Sequence, residues 1–242
     1  MKIALIADLH GNMTAVRALE NDLVRRSPDQ VWCLGDLVGK GPSSDHTFDW
    51  AMQHCDVILR GNWDDGLGYK QYCEDAFYHD QLGEKRLKAL RELPLEKSIT
   101  LSGRRIRMMH GRPIMDILRT ITDDESLLSP FFVPDYNVVI YGDTHRQALR
   151  TLNCGLLVNT GSVGNSLGIT HIQYAMLEGS RTDAGAPLDI TLINLPYDNM
   201  AAVNEAKAQL GMRYPEAYIG EITTGVYSRH LFRRLNNEKK QP

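Results

Sequence analysis

Four short, mainly apolar runs in this chain, and a fifth expected strand at 105–109, each end in a cluster of small, acidic, amide or imidazole residues. KIALIA (2–7) runs into Asp8-Leu9-His10-Gly11, VWCL (31–34) into Gly35-Asp36, and DVILR (56–60) into Gly61-Asn62-Trp63-Asp64. The run at 105–109 stops at His110-Gly111, and NVVIY (137–141) stops at Gly142-Asp143-Thr144-His145. Apolar runs of this length, without polar alternation, are strands covered on both faces, as in layered α/β proteins. Polar residues just past such strands gather at one sheet edge, however far apart they lie in sequence. That pattern predicts an α/β fold with a polar site built at the carboxyl ends of its strands.

The connections agree. Val16, Leu19 and Leu23 set a helical stripe over about Met13–Arg26, stopped before Ser27-Pro28. A helix is expected at 44–54, and helical spacing recurs through 70–93, where Leu87, Leu90 and Leu93 precede Pro94. Strands at 97–101 and 105–109 flank Ser102-Gly103, a hairpin signal. Residues 114–135 read as a short helix and loop. Further strands follow at 147–152, 156–160, 172–178 and 188–195, then a helix over about Met200–Leu210 and an irregular tail. No repeat, linker or composition shift divides the chain, so one domain over 1–242, two sheets with flanking helices, is expected.

A formal charge of −3, from 27 Lys plus Arg against 30 Asp plus Glu, excludes a generally basic nucleic-acid binder. No basic stripe with interleaved aromatics points to nucleic acid either. No apolar run nears the roughly 20 residues that span a bilayer, and the first one is too short for a secretory leader. Cys33, Cys55, Cys73 and Cys154 form no CxxC pair, so reduced thiols in a cytoplasmic protein are expected. Homo-oligomerisation is compatible with the sequence, but no interface is legible in it.

Imidazole, carboxylate and amide oxygen together make a nitrogen–oxygen ligand set without thiolates, suited to Mn, Fe, Zn or Ni. The five blocks, in order and each at a strand end, resemble the calcineurin-like metallophosphoesterase superfamily. Its pattern is D-x-H, G-D, G-N-H-D/E, a lone His and G-H-x-H. Gly161-Ser162-Val163-Gly164 resembles its closing glycine-rich loop, so the resemblance covers residues 2 to about 165. It implies a four-layer α-β-β-α sandwich of two mixed sheets flanked by helices. It also implies one metal held by Asp8, His10, Asp36 and His145, and a second held by Asp36, Asn62, His110 and Asp143, with Asp36 bridging. The implied reaction is hydrolysis of a phosphate ester or anhydride by water bridging two ions, with Asp36, Asn62, Asp64 and His110 as the catalytic group. The small bacterial-type phosphoesterases, nucleotidases and diadenosine polyphosphate hydrolases are the members it looks most like.

Two positions depart from that pattern. Asp143 stands where the family has histidine; a hard carboxylate there keeps a ligand and favours Mn or Fe, with Zn or Ni next. Trp63 replaces the histidine that the family uses at the leaving group. Indole has one N–H and no proton that titrates near neutrality, so general-acid help worth about 10²–10⁴-fold is lost. The expected substrate is therefore small and phosphorylated, a nucleotide-like phosphoanhydride or phosphodiester whose leaving group is stable as an anion. Trp63 is a candidate to stack on a base, while Lys40 and Arg112 are candidates to hold a phosphate that does not react. Asp64 is read as steadying His10, with a role as acid the alternative. The competing functions are a phosphoprotein serine/threonine phosphatase and a metal-binding scaffold that Trp63 has cost its chemistry.

Overall fold

The computed structural model describes residues 1–117 and 125–228. In chain order it contains β1 (Lys2–Ile6), α1 (Met13–Arg26), β2 (Gln30–Cys33), α2 (Ser44–His54), β3 (Val57–Ile58), α3 (Asn62–Gly68) and α4 (Ala76–Glu92). Then come β4 (Glu96–Leu101), β5 (Arg104–Met109), α5 (Arg112–Ile117), β6 (Val138–Tyr141), β7 (Ala148–Leu152) and β8 (Gly155–Asn159). The described chain closes with β9 (Ile172–Glu178), β10 (Asp189–Leu195), α6 (Asn199–Ala208) and α7 (Pro215–Thr224). One sheet has the order β10-β9-β1-β2-β3 and the other β4-β5-β6-β8-β7. Both are mixed. β1, β2 and β3 run parallel and β9 joins β1 antiparallel, while β5, β6 and β8 run parallel between antiparallel β4 and β7.

The two-residue period of a strand divides β1 between two cores. Ile3, Leu5 and Ala7 face the other sheet and pack with Trp32, Leu34, Ile106, Met108 and Ile140. Ala4 and Ile6 point the opposite way, onto Val16 and Leu19 of α1. All are fully buried or nearly so, and each large aliphatic contributes about 1.5–3 kcal/mol. The outer face of the second sheet buries Val139, Tyr141 and Leu157 against Ile114, Leu128 and Phe132. The α-β-β-α sandwich expected from the sequence is therefore present.

Three expectations need correction. The polar cluster after the third strand is itself the start of a helix, residues 62–68, because Asp36 caps it from another loop, as described below. The helical stretch at 70–93 begins only at Ala76 and is interrupted at Gly83, whose φ of 65° is non-helical. The tail is not irregular throughout: α7 starts with Pro215 and ends at Gly225, whose φ is 69°. Proline fits the first helical turn and glycine the left-handed stop. The rest of the tail, from 229, and positions 118–124 lie outside the described residues.

The Asp22 carboxylate fastens α1 to the sheet. It accepts hydrogen bonds from Tyr174 Oη (2.5 Å), Arg26 Nε (2.8 Å) and Arg25 Nη2 (2.9 Å). Burial acts to raise its pKa, but bonds from Arg26, Tyr174 and Arg25 outweigh it and bring it down to about 2. A depressed carboxyl pKa stabilises the fold above the unfolded value, and that contribution disappears as pH falls toward the folded one. Between the ordinary aspartate value of 3.8 and about 2, the protein should lose about 2 kcal/mol through this group. Urea unfolding of wild type and Asp22→Asn across that window checks this; the variant's stability should fall less steeply.

Candidate metal centre

The loops after β2 and β3 hold each other in place. Asp64 Oδ2 accepts from the backbone N–H groups of Asp36 and Gly61, both at 2.8 Å, and Oδ1 accepts from Leu37 N–H at 3.0 Å. In return Asp36 Oδ1 accepts from the backbone N–H of Trp63 at 2.7 Å. Gly61 is the N-cap of α3 and has no side chain for the cap. Asp36 supplies the missing acceptor from the neighbouring loop. A Cβ at Gly61 would lie 2.1 Å from Asp36 Oδ1, so only glycine leaves room for the exchange. The clasp leaves Asp36 Oδ2 facing inward, 3.4 Å from His110 Nε2 and 3.6 Å from His10 Nε2.

The three histidines are oriented alike. Nδ1 of His10, His110 and His145 donates to the carbonyls of Val38 (3.1 Å), Leu34 (3.0 Å) and Asn165 (2.6 Å). Carbonyls only accept, so each Nδ1 carries its proton and each Nε2 points to the centre. There His10 Nε2 and His145 Nε2 are 3.1 Å apart. Burial and the Lys40 ammonium hold both rings well below the ordinary imidazole pKa, hence neutral. Two neutral rings so arranged face each other lone pair to lone pair, an arrangement that a cation resolves.

Asp8 supplies the anionic counterpart. Its Oδ1 is fully buried with no hydrogen-bond partner, and lies 3.5, 3.8 and 4.0 Å from Nε2 of His145, His10 and His110. Burial, reinforced by Asp36 and Asp143 and opposed by His110, raises its pKa well above the carboxylate range. Two triads of ligand atoms lie within 4.8 Å of one another: Asp8, His10 and His145, and Asp8, Asp36 and His110. This is a dinuclear metal-binding site by its donors. The orphaned Asp8 oxygen and the facing imidazoles are what a pair of cations would satisfy.

Asn62 Oδ1 lies 3.1 Å from His110 Nε2, beside the second triad. Asp143 belongs to neither triad. Its Oδ1 is 3.6 Å from His110 Nε2 and 3.1 Å from Arg112 Nη2, while Oδ2 is buried without a partner. Burial favours its neutral form, but His110 and Arg112 prevail and lower its pKa. For His110 burial acts downward, yet Asp36, Asp143 and Asp8 raise it well above the usual value. The carboxyl of Asp64 is pushed up to about 7 by burial and by Asp36, against its backbone donors. Asp64 does not reach His10 as expected: its bonds go to the Asp36, Leu37 and Gly61 backbone, so it fixes the bearing of Asp36 instead.

Asp8, His10, Asp36, Asp143 and His145 all have positive φ, between 45° and 62°. Aspartate and histidine enter this region more readily than most residues, at a cost of order 1–3 kcal/mol each. The sharp turn aims each side chain back over the strand that ends there. Lys40 is buried, its Nζ 3.3 Å from His145 Nε2 and donating to Asn165 Oδ1 at 3.4 Å; Asn165 donates in turn to Glu221 Oε2 at 3.1 Å. Asn165 sits one residue past the expected glycine-rich loop, a signal that could have found it; Glu221 of α7 left none. A cavity of about 540 Å³ opens over the centre, lined by Asp36, Lys40, Trp63, Arg112, Asp143 and His145 among others.

Comparison with known proteins agrees with this geometry. The profile of the calcineurin-like phosphoesterase superfamily domain matches residues 1–182. The chain belongs to the calcineurin-like phosphoesterase superfamily. It is 26% identical over 181 residues to the uncharacterized protein MJ0912 of Methanocaldococcus jannaschii, covering 66% of this chain and 69% of that one. Its fold is similar to a metallophosphoesterase from Sphaerobacter thermophilus, with TM-score 0.71 and 21% identity over 93% of this chain and all of that one (100%). A hypothetical protein, PH1004 from Pyrococcus horikoshii OT3, gives TM-score 0.70 and 17% identity over 91% and 97% of the two chains.

The raised pKa of Asp8 means that its ionised form strains the metal-free protein. Asp8→Asn should therefore raise the melting temperature measured in chelator while abolishing the rise that Mn²⁺ produces in wild type. At a metal concentration 100 times Kd that rise corresponds to about 2.7 kcal/mol. Thermal unfolding with and without Mn²⁺ checks both halves.

Proposed function

We propose that the protein hydrolyses a phosphoanhydride or phosphodiester bond in a small, nucleotide-like substrate, using two divalent ions. The observation that carries this reading is the buried, unpartnered Asp8 Oδ1 ringed by three inward-facing imidazole nitrogens. His10, His145 and Asp8 would hold one ion; Asp36, His110 and Asn62 would hold the other, with Asp36 Oδ2 placed between the two sets and Asp143 close by. Neither triad contains a cysteine, so the nitrogen–oxygen donors suit Mn, Fe, Zn or Ni, and the hard carboxylate of Asp143 beside them would favour Mn or Fe. Bound there, the ions would supply Lewis-acid charge and a water nucleophile active near neutral pH.

The chain's own residues set the rest. The Lys40 ammonium and the Arg112 guanidinium line the cavity over the centre, suited to anchor phosphoryl oxygens and balance charge that develops on them. The Trp63 ring lies against Gly39, where a Cβ would fall 2.2 Å from its Cε3, and meets His10 edge-on at 5.8 Å. It fills the leaving-group side of the site without offering a titrating proton. The bond broken should thus be one whose departing oxygen needs none, as in a nucleotidase or diadenosine polyphosphate hydrolase reaction. Among the described residues no helix is long and apolar enough to cross a membrane, and Cys33, Cys55, Cys73 and Cys154 are free thiols. Those thiols suit the reducing cytoplasm.

A series of leaving groups tests the reading. With Mn²⁺, kcat/KM for a dinucleoside polyphosphate or a nitrophenyl diester should exceed that for an alkyl monoester by about 10²-fold or more. Trp63→His should narrow the gap by restoring an acid. Equal rates across the series would refute the bond preference, and metal binding with no turnover would leave the scaffold reading in its place.

A further inference from the structure

A second cavity, of about 380 Å³, adjoins the one over the metal centre and shares Trp63, Arg112 and Tyr227 with it. Its own wall differs in chemistry. The charged groups Lys40, Asp143 and Arg146 line only the metal-side cavity, whereas Gln71, Tyr72 and Arg213 line only the second. Arg213 Nη1 is 2.6 Å from Asp75 Oδ1, and Asp75 is buried. Unlike Arg112, whose side chain is 40% exposed, Arg213 is 10% exposed and already lies 4.9 Å over the Tyr214 ring; so enclosed, it is a poor seat for another phosphate, but its N–H edge suits an uncharged heteroaromatic ring. Gln71 and Tyr72 fold over Gly66: a Cβ there would meet Tyr72 Cε2 at 3.8 Å and Gln71 Oε1 at 3.9 Å. The Gln71 amide can donate and accept at once, as recognition of a base edge requires.

We infer that this second cavity lies on the leaving-group side and takes the nucleoside of a departing nucleotide, with Tyr72 as the exposed stacking surface and Gln71 and Arg213 as polar contacts. The inference rests on the phosphohydrolase reading above and names the half of the substrate that departs. The size is on the order of small-ligand pockets, which run from about 300 Å³ upward. Part of the wall, Arg213 and Tyr227, comes from beyond the residues 1–182 that match the superfamily. Substrate choice is thereby carried in part by a segment beyond the blocks that hold metal.

Equilibrium binding of adenosine monophosphate and inorganic phosphate to the Mn²⁺-loaded protein tests this without relying on turnover. Adenosine monophosphate should bind at least about tenfold more tightly than phosphate, the scale of one base–aromatic stack. Tyr72→Ala and Gln71→Ala should each reduce that advantage and leave phosphate affinity unchanged within about twofold. Tyr72 is 47% exposed, so its truncation spares the core. Equal affinity for the two ligands, no binding of the nucleotide, or an advantage that survives both variants would overturn the subsite. Selective nucleotide binding without hydrolysis of any anhydride or diester would sink the enzymatic reading alone. In an active enzyme, Tyr72→Ala should lower kcat/KM for adenosine triphosphate about tenfold while tripolyphosphate hydrolysis stays within about twofold of wild type.

Discussion

The reciprocal clasp between Asp36 and the start of α3 is the interaction on which the rest of the site depends. Two loops from parallel neighbouring strands exchange side-chain carboxylates for backbone N–H groups: Asp64 holds the Asp36 and Leu37 backbone, and Asp36 caps Trp63. Neither carboxylate could do this alone. Without Asp64, the positive-φ turn at Asp36 would lose the acceptor for its own N–H and for that of Leu37; without Asp36, α3 would begin at a glycine with no side-chain cap. The aim of Asp36 Oδ2 between His10 and His110 follows from the exchange. A ligand is most useful when its free oxygen is the one that local structure has not consumed, and here Oδ1 is spent on the helix so that Oδ2 is not.

Charge is balanced on a similar plan. Asp8, Asp36, Asp64 and Asp143 are buried together with Lys40 and three histidines. His110 takes up part of the negative charge: Asp36, Asp143 and Asp8 raise its pKa against the effect of burial. Arg112 takes up another part at Asp143. Replacement of the family histidine by Asp143 therefore adds a negative charge and meets a guanidinium from α5, one short helix away. The pairing holds Asp143 beside the metal centre but outside both triads, and limits how far its carboxylate is committed to an ion.

Much of this was legible in the sequence, for a physical reason. Buried parallel strands must be continuously apolar, and the residues after them must turn sharply, so Asp8, Asp36 and His145 announce themselves at the ends of such runs. Two sheets with flanking helices followed from the strand pattern, and the four-layer sandwich from the family resemblance. What escaped was whatever depends on contact between distant segments. Residues 62–68 look like a loop because the cap of α3 is Asp36, 26 residues before Asn62. Asp64 looked like a partner for His10 because the pattern records spacing and not direction. The helix from Pro215 to Thr224 carried its proline start and glycine stop, yet nothing nearby predicted that Glu221 and Arg213 would pack toward the site.

Trp63 shows how a departure from a family pattern becomes part of a structure. Its ring occupies the space that a Cβ on residue 39 would need, so Gly39, at a φ of 83°, and Trp63 fit as a pair. The ring also meets His10 and Tyr78 edge-on, at 5.8 and 6.5 Å. An imidazole there would be smaller and would leave both contacts thinner. The exchange thus removes a proton donor and adds a rigid apolar partition between the metal-side cavity and the aromatic one beside it. Under the proposed function, the indole gives a reluctant leaving group no proton, and selection would act through the fit of the departing half rather than through its basicity.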